Sequence, residues 1–98
     1  MDDDELMVQV VHNREKRRFE ADVEGKTAVL DYVESPGTIV FTHTYTPIGL
    51  RGRGIASQVV TAGLEYARAH NLAVVPQCWF VAEFVADHPE YRDLVADQ

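Results

Sequence analysis

Between Thr46 and Gly54 the apolar pattern of this chain changes period, and the change falls on a stretch rich in glycine and arginine. A repeat of two before it and of three to four after it implies a sheet built first and a helix laid on that sheet. Upstream, Phe19, Ala21 and Val23 alternate with Arg18, Glu20, Asp22 and Glu24, the pattern of a strand buried on one face. Thr27 to Glu34 repeats it with Ala28, Leu30 and Tyr32 inward. Thr38 to Thr46 is nearly all β-branched and aromatic, with Ile39, Phe41, His43 and Tyr45 expected on one face. Met7 to Asn13 is β-branched enough for a first strand. The run Arg14-Glu15-Lys16-Arg17, the pair Gly25-Lys26 and the triplet Ser35-Pro36-Gly37 read as the connecting turns, and Pro47 closes the fourth strand.

Downstream, Gly54 to His70 carries Ile55, Ala56, Val59, Val60, Gly63, Leu64 and Ala67 on one stripe and Ser57, Gln58, Thr61, Glu65 and Arg68 on the other. Asn71 is the expected stop. Leu72 to Cys78 then reads as a fifth strand, and a second helix presents Phe80, Val81, Phe84, Val85 and His88 before Pro89 limits it. The order β-β-β-β-α-β-α joins an antiparallel meander to one strand-helix-strand crossover, whose two strands must be parallel. The expected class is therefore a mixed α+β sheet.

At 98 residues the chain has room for one core, so residues 1–98 are read as a single domain with an acidic, disordered start at residues 1–5. Its one cysteine, Cys78, excludes an internal disulfide and a cysteine-only zinc site. His12, His70 and His88 have no metal-ligand spacing with one another or with Cys78, so no metal is expected. A net charge of -7 argues against nucleic acid as a partner, because that binding requires a cationic surface. The absence of a long apolar run and of a basic-then-apolar leader points to a cytoplasmic protein with no membrane partner, a monomer or small homo-oligomer.

The chemistry concentrates in Ile48-Gly49-Leu50-Arg51-Gly52-Arg53-Gly54-Ile55-Ala56, which holds three glycines and two arginines in nine residues. At a helix start the first N–H groups lack internal partners and the dipole's positive end points outward, so an anion is stabilised there. Glycines let the backbone approach such an anion, and Arg51 and Arg53 are expected to add charge-assisted hydrogen bonds to a diphosphate. Neither a Walker loop nor a G-x-G-x-x-G dinucleotide fingerprint is present.

Arg51-Gly52-Arg53-Gly54-Ile55-Ala56 resembles the Gln/Arg-x-x-Gly-x-Gly/Ala signature of the GCN5-related N-acetyltransferase superfamily, at the same place between strand four and the central helix. The remainder is similar to a small subgroup of compact acetyltransferase-like proteins related to bacterial YjdJ and animal NATD-type proteins. That likeness is carried by Arg18-Phe19-Glu20, Asp22-Val23-Glu24-Gly25, His43-Thr44, Val75-Pro76 with Cys78, and His88-Pro89-Glu90-Tyr91 before Leu94-Val95. The resemblance implies acetyl-CoA (coenzyme A) as ligand. Its pantetheine would run along strand four at Thr44, Tyr45 and Thr46, its pyrophosphate would lie on Arg51 to Ala56, and its thioester would sit at a splay between strands four and five. It also implies a truncated fold, because the superfamily's usual first helices are missing. Two departures stand out: Thr46-Pro47 where the subgroup often has Val-Pro, and Trp79 after the cysteine, a bulk expected to narrow the acceptor side.

Acetyl transfer from a thioester to an amine needs a path for the amine's proton, donors for the oxyanion and an acid for the thiolate. His43 is a candidate base or relay, or else a histidine packed in the sheet. Cys78 is either an acyl-accepting thiolate or a packing residue. Tyr91 is a candidate acid for the leaving sulfur, or a packing residue. The expected function is an N-acetyltransferase acting by direct transfer on a primary amine, a protein or peptide lysine among the acceptors considered. A non-catalytic acyl-CoA binder and a small anion-binding module remain open, since the turn requires binding and not chemistry.

Overall fold

The computed structural model describes residues 7–96, and the acidic start expected at residues 1–5 lies outside the described residues. Five strands follow one another in space as in sequence: β1 (Val11–Asn13), β2 (Arg18–Val23), β3 (Lys26–Ser35), β4 (Thr38–Tyr45) and β5 (Ala73–Pro76). The first four are antiparallel, and β5 joins β4 in parallel after the crossover through α1 (Ile55–Ala69). Helix α2 (Trp79–Asp87) and a 3₁₀ turn at Pro89–Leu94 complete the fold. The mixed α+β architecture is the one the pattern of periods requires.

Several boundaries differ from the sequence reading. The first strand spans three residues rather than Met7 to Asn13, because Val8 leaves the ladder and its N–H donates to Gln58 on α1 at 2.9 Å. The β2–β3 turn is Glu24-Gly25, with φ of 54° and 77°, so Lys26 already belongs to β3. Asn71 ends α1 in the left-handed region at φ 57°. β5 stops at Pro76, and Cys78 makes the last link to β4 by donating its N–H to the Phe41 carbonyl at 3.0 Å.

The core lies between α1 and one sheet face, where Leu30, Ile39, Phe41, Ile55, Val59, Val60 and Leu64 are almost wholly buried. Gly63 allows the close approach, since a Cβ there would stand 2.7 Å from Leu30 Cδ2 and 3.0 Å from Phe41 Cε1. Leu50, also fully buried, anchors the 3₁₀ turn Ile48–Leu50 and so pins the glycine-arginine stretch that leads into α1.

The expected alternation along β4 breaks at one point. Tyr32 of β3 pairs with Phe41, but Asp31 pairs with His43, which leaves Thr42 as the extra residue of a β-bulge. One inserted residue exchanges the two faces of everything after it. His43 and Tyr45 therefore do not share a face with Ile39 and Phe41, as the sequence reading expected. They point to the outer face opposite α1, and Thr44, paired with buried Leu30, turns inward instead.

Candidate functional site

The β4–β5 ladder ends at the Phe41–Pro76 pair, and from there β4 runs on without β5 while the chain turns away into α2. A cavity of about 530 Å³ occupies the resulting gap. Thr44 of β4 and Thr46 just past its end form one wall, Trp79 and Phe80 at the start of α2 form the other, and Arg51, Gly52, Gly54 and the first turn of α1 close one end. The cavity thus joins a strand edge to a helix N-terminus.

At that end, Gly54 is the N-cap of α1 at φ 77°, a left-handed conformation that an L side chain rarely adopts. It brings no side-chain cap, and the first turn of α1 carries no acidic residue. No side chain caps the opening N–H groups of α1, and Ala56 and Ser57 face the same space. Arg51 lines the cavity while its Nε donates to the Thr46 carbonyl at 2.8 Å, which ties the turn back to the end of β4. These features fit a diphosphate: open amides, a small-residue approach and one cation held at the rim.

Arg53 is placed differently. Its guanidinium turns to Glu24 in the β2–β3 turn, with contacts of 3.2 and 3.4 Å, and also donates to the Gly49 carbonyl at 3.4 Å. The Arg53 hydrogen bond and charge hold the Glu24 carboxyl below its ordinary value. Arg53 braces the turn from outside instead of lining the cavity.

At the other end, the Cys78 Sγ lies 3.5 Å from Thr44 Oγ1. Burial pushes the Cys78 thiol up, but the Thr44 hydroxyl and the backbone amides of Val81, Phe80 and Thr44 favour the thiolate more strongly, and the net effect is a lowered pKa. The sequence offered no cation near Cys78; the Thr44 hydroxyl, with the amides of Thr44 and of the start of α2, takes that part instead. Trp79 is 72% exposed and stands as a flap on the cavity's rim.

His43 lies on the far side of β4 from this cavity. Its Nδ1 is 3.4 Å from Asp31 Oδ2, and Arg18 Nε donates to the other carboxylate oxygen at 3.1 Å. Tyr45 is on the same outer face and about half exposed. Of the expected ligand residues, Thr44, Thr46, Arg51, Gly52, Gly54, Ile55 and Ala56 meet around the cavity, whereas Tyr45 and Arg53 do not. Tyr91 is remote from it: its hydroxyl donates to Glu65 Oε2 at 2.6 Å, and burial with that bond pushes the phenol up to about 12. Leu50, Ser57, Phe80 and Asp31 were not foreseen. Of these, Ser57 had a legible signal, three residues past the glycine that opens the helix.

The other histidines serve local packing. His12 stacks on Phe19 at 4.1 Å, His88 stacks on Phe84 at 3.9 Å, and the His70 ring meets the Tyr66 carbonyl at 3.0 Å. Among the described residues no group of His, Cys, Asp and Glu is placed to hold a metal ion, and no helix is long and apolar enough to cross a membrane.

Comparison with known proteins agrees with this layout. Protein NATD1 of Gallus gallus is 34% identical over 85 residues, covering 84% of this chain and 77% of that protein. Protein NATD1 of Homo sapiens is 33% identical over 85 residues, covering 84% and 75%. Residues 18–94, from the start of β2 to the end of the last 3₁₀ turn, match the family described as GCN5-related N-acetyl-transferase, and the chain belongs to that family.

Proposed function

We propose that this protein transfers an acetyl group from acetyl-CoA directly to a primary amine, with a lysine of a protein or peptide as the acceptor. The observation that carries the reading is one cavity that runs from the uncapped start of α1 to Thr44, whose hydroxyl lies against the sulfur of Cys78 just behind it. When bound, acetyl-CoA supplies a diphosphate anion at one end and an activated thioester carbonyl at the other. The amides at Gly54, Ile55 and Ala56, with the Arg51 guanidinium, hold the anion. Thr44 and Thr46 line the path along β4, and Trp79 with Phe80 keeps water from its opposite side.

The amine approaches from the outer face, because the inner side of the gap is filled by α1, α2 and the ligand. We assign His43 on that face to take the amine's proton. Cys78 supports a second reading, since its lowered pKa suits a thiolate that accepts the acetyl group before the amine does.

Titration with coenzyme A, acetyl-CoA and ATP tests the binding, and tight binding of the first two with weak binding of ATP is expected. Equal affinity for ATP would refute it. Replacing Arg51 by Ala removes a charge-assisted contact of about 1.5–3 kcal/mol, a loss of roughly 10- to 150-fold in coenzyme A affinity. Thiol release with lysine peptides then separates an enzyme from a non-catalytic acyl-CoA binder. Turnover by Cys78→Ala at the wild-type rate excludes the covalent route.

A further inference from the structure

We propose that Asp31 is a positioning residue for His43, fixing the tautomer that leaves the Nε2 lone pair toward the acceptor amine. The inference rests on the acetyl transfer proposed above. Its observations, however, are independent of any ligand.

The bulge at Thr42 sets His43 directly opposite Asp31 on the outer face, with Nδ1 at 3.4 Å from Oδ2. The carboxylate is itself held. Its other oxygen accepts from Arg18 Nε at 3.1 Å, and Thr42 Oγ1 donates to the Asp31 carbonyl at 3.3 Å, which ties the bulge to the same residue. Aspartate is disfavoured in strand interiors, and Asp31 stands in β3 between the buried Leu30 and Tyr32, so local propensity does not account for it.

A carboxylate oxygen 3.4 Å from Nδ1, at ion-pair distance, favours the proton on that nitrogen, and in a neutral ring that leaves Nε2 as the acceptor. The His43 side chain is 62% exposed, and Nε2 has no partner among the described residues. The ring therefore has a carboxylate beside one nitrogen and no protein partner at the other. This is the arrangement a general base needs.

An ammonium acceptor first loses one proton to solvent. Its nitrogen then forms the C–N bond to the acetyl carbon as the C–S bond breaks, and His43 Nε2 takes the second proton. The sulfur leaves with the bonding pair and is protonated to the thiol, and His43 returns its proton to water. One proton is released for each ammonium group acetylated.

The test combines ring ¹⁵N spectra of His43, recorded above the ordinary histidine range at about pH 8.5, with turnover. Wild type should show mainly the Nδ1–H tautomer, and Asp31→Ala mainly Nε2–H. In Asp31→Ala, kcat should fall about tenfold or more while the KM for acetyl-CoA stays within about twofold. In a His43→Ala background the same substitution should cost nothing further. Asp31→Asn keeps the side-chain volume and serves if the alanine variant is poorly folded, with the same loss of the Nδ1–H form expected. A wild-type ring mainly in the Nε2–H form would overturn the proposal, as would an equal loss of kcat without His43. Should the tautomers behave as expected while wild type shows no turnover, the positioning stands and the acetyl transfer fails.

Discussion

Replacing Gly63 by Ala sets two well-measured effects against each other, and the structure decides which wins. In an exposed helix interior the change gains about 0.8–1.0 kcal/mol from helix propensity. Here the new methyl would lie 2.7 Å from Leu30 Cδ2, 3.0 Å from Phe41 Cε1 and 3.1 Å from Phe41 Cζ. Leu30 and Phe41 are both 0% exposed, so neither can swing into solvent. Overpacking of this kind costs about 1–3 kcal/mol. With two buried side chains to displace, one of them a ring, the upper part of that range applies. The net expectation is a loss of about 1–2 kcal/mol after the propensity gain is subtracted. At about 4–8 °C per kcal/mol, the melting temperature should fall by roughly 5–15 °C. Urea unfolding followed by circular dichroism should show a lower midpoint with an unchanged slope. Leu30→Val removes the nearest colliding methyl, so the double variant should be less destabilised than the sum of the two singles by about 0.5 kcal/mol or more. A rise in melting temperature for Gly63→Ala alone would refute the close approach of α1 to the sheet.

Three further outcomes follow from particular contacts. Tyr91 is raised from 10.0 to about 12, so the folded chain keeps a proton that the unfolded chain releases. Its contribution of about 2–3 kcal/mol is full below about pH 10 and lost as pH rises toward 12. Urea midpoints at pH 9 and 11 should therefore converge in Tyr91→Phe, and an unchanged alkaline fall would count against the Glu65 contact. Thr44→Val removes the hydroxyl beside Cys78, so the pH midpoint for alkylation of Cys78 by iodoacetamide should move up; a fixed midpoint would mean the helix amides act alone. Arg53→Ala should change coenzyme A affinity less than about threefold, well short of the loss at Arg51, because Arg53 braces the turn through an exposed pair with Glu24. Equal losses at the two arginines would put both on the diphosphate.

The order of strands and helices was legible because each element carries its own period. Phe19, Ala21 and Val23 alternate, Ile55, Val59, Val60 and Leu64 recur by three and four, and glycine marks the junction. The end of the site proposed to hold the diphosphate was legible for the same reason, since a helix start is a local feature. Arg53 and Tyr91 were not, because their partners Glu24 and Glu65 lie 29 and 26 residues away and no local pattern announces such pairs. The lowered Cys78 thiol escaped notice as well: what lowers it is first the Thr44 hydroxyl and then the amides at the start of α2, and their placement depends on the Thr42 bulge and on where β5 stops.

The bulge at Thr42 had the largest consequence, and it is invisible to a rule of strict alternation. Thr42 looks like any β-branched strand residue, yet its insertion opposite the Asp31–Tyr32 step sends Thr44 inward and His43 outward. Without it, His43 would follow Phe41 toward α1, and Thr44 would face away from Cys78. The bulge thus divides the proposed chemistry between two sides of one strand, with the thioester's surroundings on the inner side and the base with its carboxylate on the outer. Deleting Thr42 should reverse both placements at once, so that the Cys78 contact and the Asp31–His43 pair are lost together. Retention of either one alone would show that the bulge is not what separates the two faces.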